Sequence, residues 1–415
     1  MFGQGAGRVE LHSFFSASLG ITKQYNVYLP AGYDSSTERY PVVYFFRGHE
    51  REWFNPSEDG TRGGKSLKDI ADNLIATNKI GKMILVGAST SSADNSVPAL
   101  GVNMKSPLAA TAGIGAGKFE DYLTKDLIQH IDSSYRTVAD KAHRGVDGFS
   151  LGGYTSIMLA VKHPELYASA ACYDGTHMWH NLDDPRAGGA GLDDGTWLTT
   201  SMFDQAFGKP RDTSVMMSYN TVDILLRADS TRLAQIKTVK FFIHAAAFDG
   251  NQGNIDRGRH VADNLLGKGI LNGFGDIRLT ASAIHNWSYA DQHATASLVK
   301  HWKTFNDTTG GSTGVNEWQA PARKPKRLKL LQNFPNPFNP RTNVEFEIAE
   351  GIDDGNVLLE VFDSIGKSVA TLFNGRATPG KYRTAFDGAG LASGTYYASL
   401  TMGTARELRT MMLLK

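Results

Sequence analysis

The sequence predicts an α/β chain: a doubly wound, mostly parallel sheet over residues 1–306, followed by a small all-β sandwich over residues 328–415. Three observations predict it. Up to about residue 306, short runs that are apolar almost throughout alternate with helical patterns, as strands buried on both faces require. Over residues 307–327 the composition turns polar, Gly- and Thr-rich and then basic. From residue 328 the apolar period becomes two, and no helical pattern intervenes. The 415 residues exceed one ordinary compact domain, and 41% apolar composition suffices for a sizeable core in each part.

In chain order, apolar runs at residues 40–46, 83–87, 144–147, 168–172, 240–245 and 276–280 read as strands. Helical patterns occupy residues 66–77, 119–131, 152–162, 255–267 and 289–305 between or after them. Such alternation builds a parallel sheet covered on both faces. Residues 307–327 read as a linker. The basic run RKPKRLK at its end fits a solvated segment better than a polyanion site. Beyond it, strands are expected at residues 343–348, 357–363, 368–373, 380–386, 394–402 and 407–414.

Charge and composition exclude several classes. Lys plus Arg (43) balances Asp plus Glu (42), so no global field favours nucleic acid or an anionic membrane. The single cysteine, Cys172, permits neither an internal disulfide nor a Cys-rich zinc site. No apolar run reaches the ~18 residues of a membrane span. The first fifteen residues, MFGQGAGRVELHSFF, lack the basic-then-apolar pattern of a signal peptide. Asp183, Asp184, Asp193 and Asp194 crowd a Gly-rich segment. Their spacing matches no standard calcium loop, and a solvated lid is the simpler reading. No metal or organic cofactor is expected.

The strongest chemical signal is Gly148-Phe149-Ser150-Leu151-Gly152, between a predicted strand and a predicted helix. A serine on such a turn is lifted out of the sheet, and the helix start favours developing negative charge. Ser150 is the candidate nucleophile. Its base should follow in sequence, in a loop at the carboxyl end of a later strand. His285, in Ala283-Ile284-His285-Asn286-Trp287, stands there, whereas His260 and His293 lie inside helical patterns. The acid that orients the base should follow the preceding strand. Asp249, in Phe248-Asp249-Gly250, is expected there, with Asp256 its competitor at a helix start. Two backbone amides must stabilise the oxyanion. Leu151 N–H and His49 N–H are the candidates, with Glu50 N–H the alternative to His49. Glu50, Trp53, Trp179, Trp197 and Trp287 are candidate substrate contacts, since the indoles stand in probable rim loops and could stack on an aromatic acyl group or a sugar ring.

With these motifs in view, residues 20–305 resemble the α/β-hydrolase esterases related to carbohydrate esterase family 1 and the feruloyl esterases. The segments that carry the likeness are PVVYFFRG, DIADNLIATNKIGKMILVG, the stretch from FEDYLTKDL through DGFSLGGYTS to AACYDG, and the terminal His285-Asn286-Trp287. The resemblance implies esterase activity with Ser150, Asp249 and His285 in the triad positions. Three departures concern substrate rather than chemistry class. Arg47 stands where such enzymes usually carry a His, Ala246 replaces a Gly, and Asp147 puts a charge beside the elbow.

The C-terminal stretch has its own likeness. LQNFPNPFNP at residues 331–340, FDSIGK at 362–367 and GTYY at 394–397 resemble the sorting domain of the type IX secretion system. The resemblance implies export, with the type IX machinery as the partner of residues 328–415. The expectation is a secreted or surface-attached serine esterase acting on plant cell-wall polysaccharide and releasing ferulate, other hydroxycinnamates or acetate. The alternatives are an acyltransferase of the mycolyltransferase kind and a non-catalytic surface glycan-binding protein on a hydrolase scaffold.

Overall fold

The computed structural model describes residues 5–178, 195–246, 254–271, 277–280, 284–306, 328–348, 356–364, 367–378, 380–402 and 405–415. The chain divides into two compact units, Met1–Gly310 and Gly311–Lys415.

In the first unit, β1 (Arg8–Ser16), β2 (Ile21–Leu29), β3 (Val42–Phe46), β4 (Ile84–Ala88), β5 (Arg144–Gly148), β6 (Ser169–Tyr173), β7 (Lys240–Ala246) and β8 (Ile277–Thr280) form one sheet. Its order is β1-β2-β4-β3-β5-β6-β7-β8. From β4 across to β8 every pairing is parallel. The hairpin β1–β2 adds two antiparallel pairings at one edge, which the search for continuous apolar runs did not anticipate. An edge strand keeps one side in water, so β1 mixes polar residues with Leu11 and Phe15, both of them exposed.

β3, β4, β5 and β6 are short and wholly buried because helices cover both faces. Val42, Tyr44 and Phe46 of β3 join one core with the helices Leu127–Ser134, Leu151–Lys162 and Asn254–Gly267. Val43 and Phe45, pointing the other way, join a second core with the helices Leu67–Ala76 and Trp287–Phe305. From β3 the chain steps to β4 on one side and then returns to β5 on the other. The crevice at that reversal, beyond the carboxyl ends of β3 and β5, is where an open α/β sheet receives ligand.

The second unit is all-β among its described residues. β9 (Leu328–Leu330), β10 (Arg341–Ile348) and β13 (Gly380–Asp387) form a three-stranded sheet. β11 (Asn356–Phe362), β12 (Ser368–Arg376), β14 (Gly394–Met402) and β15 (Ala405–Leu413) form a four-stranded one. All pairings within these sheets are antiparallel. Thr342, Val344, Phe346 and Ile348 of β10 are buried while their neighbours are partly or fully open, the alternation a one-sided sheet needs. Inward residues of both sheets, among them Leu330, Phe346, Leu359 and Leu400, meet in one core. β9 is the strand the period-two reading did not include.

Candidate active site

Ser150 sits between β5 and the helix Leu151–Lys162 with φ 58° and ψ −123°. That conformation costs a non-glycine residue on the order of 1–3 kcal/mol and persists only where the surroundings enforce it. They do so through backbone hydrogen bonds. Ser150 N–H donates to Tyr173 O at 3.0 Å, and Tyr154 N–H donates to Ser150 O at 3.0 Å. The glycines on either side are sterically obligatory. A Cβ on Gly148 would lie 2.1 Å from Gly152 O, and one on Gly152 would lie 2.0 Å from Phe46 O. The turn therefore packs backbone against backbone, directly on the end of β3.

His285 follows β8 and immediately precedes the last helix, which Asn286 caps by accepting from Tyr289 N–H at 3.0 Å. Two contacts fix its loop. Tyr173 O–H donates to Ile284 O at 2.6 Å, and the imidazole packs 4.5 Å from the ring of Phe149, the residue before the nucleophile. His285 Nδ1–H donates to Asp174 Oδ2 at 2.6 Å, across a wholly buried carboxylate. That bond assigns the proton to Nδ1 and leaves Nε2 as the basic nitrogen.

Asp174, which the sequence reading did not weigh as the acid, is a carboxylate that meets His285 among the described residues. It follows β6 directly, at φ 47°. Its own N–H donates to His244 O at 2.7 Å. Its Oδ1 accepts from Ala246 N–H at 3.0 Å, and Asn254 Nδ2 donates to its carbonyl at 3.2 Å. Because Tyr173 pairs with His244, the ends of β6 and β7 are neighbours. A signal was available. Asp174-Gly175 repeats, after β6, the Asp-Gly of Asp249-Gly250 after β7. Asp249 lies outside the described residues, as do Trp179, the side chain of Asp256, and Asp183, Asp184, Asp193 and Asp194.

The oxyanion candidates stand at the same rim. Phe46 pairs with Gly148, so the loop after β3 and the elbow after β5 leave the sheet side by side. Leu151 N–H is the first amide of its helix and has no intrahelical acceptor. The loop carrying His49 is held by Gly48 N–H donating to Glu52 Oε2 at 2.7 Å and by Thr90 N–H donating to Gly48 O at 2.7 Å. His49 faces Glu50 at 3.7 Å.

Three aromatic expectations need correction. Trp53 is 1% exposed, with its indole N–H donating to Phe46 O at 3.0 Å. Trp197 is 0% exposed and stacks on Phe203 at 4.6 Å. Trp287 is buried against Trp53 and Phe149, at 5.1 and 5.2 Å between ring centroids. Trp53 and Trp287 pack with Phe149 as a floor beneath the elbow, whereas Trp197 belongs to the other core. Glu50 is buried too, 5% exposed, and its carbonyl accepts from Asn26 Nδ2 at 3.4 Å. Among the described residues no group of three or more His, Cys, Asp or Glu is arranged to hold a metal ion.

Comparisons with known proteins identify the family and the fold. Residues 332–413 match the secretion system C-terminal sorting domain, which marks a secreted or cell-surface protein. Among the described residues no helix is long and apolar enough to cross a membrane. An endo-1,4-beta-xylanase/feruloyl esterase of Xylanibacter ruminicola is 32% identical over 189 residues, 44% of this chain and 23% of that protein. The chain thus spans about a quarter of that relative's length. A solved ferulic acid esterase superposes with a TM-score of 0.55 at 20% identity, covering 72% of this chain and 99% of its own. A fluorophosphonate-binding serine hydrolase of Staphylococcus aureus gives a TM-score of 0.52 at 14% identity, covering 73% and 100%. Both likenesses show the fold. Residues 16–259, more than half of the chain, match the family described as Putative esterase, and the chain belongs to that family.

Proposed function

We propose that this protein is an exported serine carboxylic-ester hydrolase that works through an acyl-enzyme, with esters of plant cell-wall polysaccharide as its substrate class. The observation that carries the reading is the buried Asp174 carboxylate on His285 Nδ1, beside a serine in a strained strand-to-helix turn. In this mechanism His285 Nε2 takes the hydroxyl proton as Ser150 Oγ attacks the ester carbonyl. Asp174 holds the imidazole's tautomer and stabilises its cation. Leu151 N–H and His49 N–H are the proposed donors to the tetrahedral oxyanion. The protonated imidazole then gives its proton to the leaving alcohol. Water, activated by the same nitrogen, frees the acid. The xylanase/feruloyl esterase relative supports hydroxycinnamate esters as the acyl side, and the sorting domain supports action outside the cell.

The test pairs a substrate panel with two acid variants. Methyl ferulate, acetylated xylan and short p-nitrophenyl esters are assayed for hydrolysis, and fluorophosphonate labelling reports an active Ser150. Asp174→Asn should lower kcat by about 10³–10⁴-fold, the effect of losing the orienting acid in a serine triad. Asp249→Asn should cost far less. The reverse ranking would move the acid to Asp249. A protein that binds xylan but neither labels nor hydrolyses would be a binding protein on this scaffold. One that labels and transfers acyl groups to alcohols in preference to water would be an acyltransferase.

A further inference from the structure

One buried carboxylate and three buried histidines lie behind the elbow and take no part in the mechanism above. Asp147 is the residue of β5 just before Gly148. Its neighbour Val146 belongs to one core, so Asp147 faces the other side, toward the helix Trp287–Phe305. The side chain is wholly buried, and three donors reach it. Gly148 N–H donates to Oδ1 at 2.7 Å and His293 Nε2–H donates to Oδ1 at 2.8 Å. Ser297 O–H donates to Oδ2 at 2.5 Å. His301 Nε2 stands 3.6 Å from Oδ2. A further layer surrounds these groups. His293 Nδ1 meets His244 Nδ1 of β7 at 3.3 Å, and His301 Nδ1 meets Ser169 Oγ of β6 at 2.6 Å.

Burying a carboxylate opposes its charge, yet His293 and His301 hold this one well below the usual carboxylate range. A buried ionic network is a poor source of net stability, since an apolar residue of similar size often serves as well. What such a network does fix is geometry, because Asp147 is bonded at once to its own strand end and to two residues of the helix. Here the geometry joins the two halves of the catalytic machinery. Ser150 lies three residues after Asp147. His285 lies two residues before the helix that supplies His293, Ser297 and His301.

We propose that Asp147 is a positioning residue that clamps the end of the nucleophile strand to the helix following the base, and so sets the separation of Ser150 and His285. The inference rests on the proposed roles of those two residues. Without the clamp, strand end and helix can slide against each other, and a displacement near 1 Å costs about 10²-fold in rate.

The experiment uses the full chain. Active sites are counted by fluorophosphonate titration, so that kcat is expressed per competent molecule whatever fraction folds. Asp147→Ala removes the acceptor for all three donors. Its kcat on a short p-nitrophenyl ester should fall at least tenfold per titrated site, with KM within twofold. Asp147→Asn keeps an oxygen for Gly148 N–H and His293, and its amide can donate to Ser297 Oγ. It should recover kcat to within about threefold of the parent. An Ala variant within threefold of the parent overturns the proposal, and so does an Asn variant as impaired as Ala, which would assign the effect to charge. Should Ala yield no folded protein, His293→Leu replaces it. That variant fills the ring's space without a donor and should lose at least fivefold in kcat per site. Parental kcat there overturns the clamp. Ser150→Ala, assayed per mole of folded protein because it offers no serine to titrate, separates the two ideas: if it keeps activity, the serine mechanism fails independently of Asp147.

Discussion

The two units solve the burial problem in opposite ways. In the first, β3 to β7 run parallel and are covered on both faces, so five consecutive residues of β3 are all buried. Polar chemistry is pushed to the carboxyl ends of those strands, and Ser150, Asp174 and His285 all come from turns there. In the second unit, strands such as β10 bury every other residue and leave the rest open. Such a body offers a patterned surface. A parallel sheet concentrates function at one rim, whereas a small antiparallel sandwich distributes it over a face. That suits a catalyst joined to an address.

The sharpest break of this comparison separates activity from export. Ser150→Ala should lower kcat on a short ester by about 10⁴–10⁶-fold, as loss of a triad serine does. It should leave melting temperature and export unchanged. Deleting residues 328–415 should do the reverse, with kcat within twofold of the parent and surface display lost in a host that carries the type IX machinery. Enzyme assay of the purified chains and cell-fractionation blots read the two effects. A truncated chain that loses activity on soluble esters would show that the sandwich helps build the site.

A smaller effect tests the units as folding bodies. Leu400→Ala in the second core and Leu159→Ala in the first each remove a wholly buried side chain. Each should destabilise its own unit by about 2–5 kcal/mol. Scanning calorimetry should then show one transition moving while the other stays. Joint movement would mean the two unfold together.

The smallest effect concerns a buried charge of the first unit. Glu120 accepts from Lys162 Nζ at 3.0 Å, from Tyr219 O–H at 2.7 Å and from His163 Nε2 at 2.7 Å. Burial would raise its pKa, but those three partners bring it down to about 2 from 4.5. The folded state therefore binds this proton less tightly than the unfolded one. The resulting stabilisation is complete above pH 4.5 and is lost as pH falls toward 2. Glu120→Gln should lower stability by about 1.5–3 kcal/mol at neutral pH, the scale of hydrogen bonds to a charged group. Denaturation curves at pH 7 and pH 3 should show parent and variant converging at the lower value. A gap that stays constant would place the effect in packing.

Much of this was legible in the sequence because it is local. Gly148-Phe149-Ser150-Leu151-Gly152 reads as an elbow since strand, turn and helix follow within a dozen residues, and the helix Leu151–Lys162 begins where the motif says. The place of His285 was legible because it lies between a strand and a terminal helix. Asp174 was not, because its partnership with His285 spans 111 residues and depends on β6 lying beside β7. The tryptophans were misread for a related reason. Trp53 belongs to a loop, but that loop folds back so that its indole N–H finds the carbonyl of Phe46. Asp147 was noticed as a charge out of place, while its partners lie 146 and 150 residues downstream. Periodicity fixes which way a side chain points, and only the assembled sheet decides what it meets.

The indole floor has an optical consequence. Trp53 and Trp287 meet edge to face at 5.1 Å, and the guanidinium of Arg62 lies 4.6 Å above the ring of Trp287. Phe149 touches both Trp287 and His285, so the pair is one ring away from the imidazole. Emission from buried indoles responds to the field of nearby charges, and on the proposed mechanism that field gains a cation whenever His285 takes the serine's proton. Two of the chain's six tryptophans thus stand where a change of charge on His285 would alter their emission, and a stopped-flow fluorescence change that Ser150→Ala abolishes would follow the proposed acylation of natural, colourless esters without a dye.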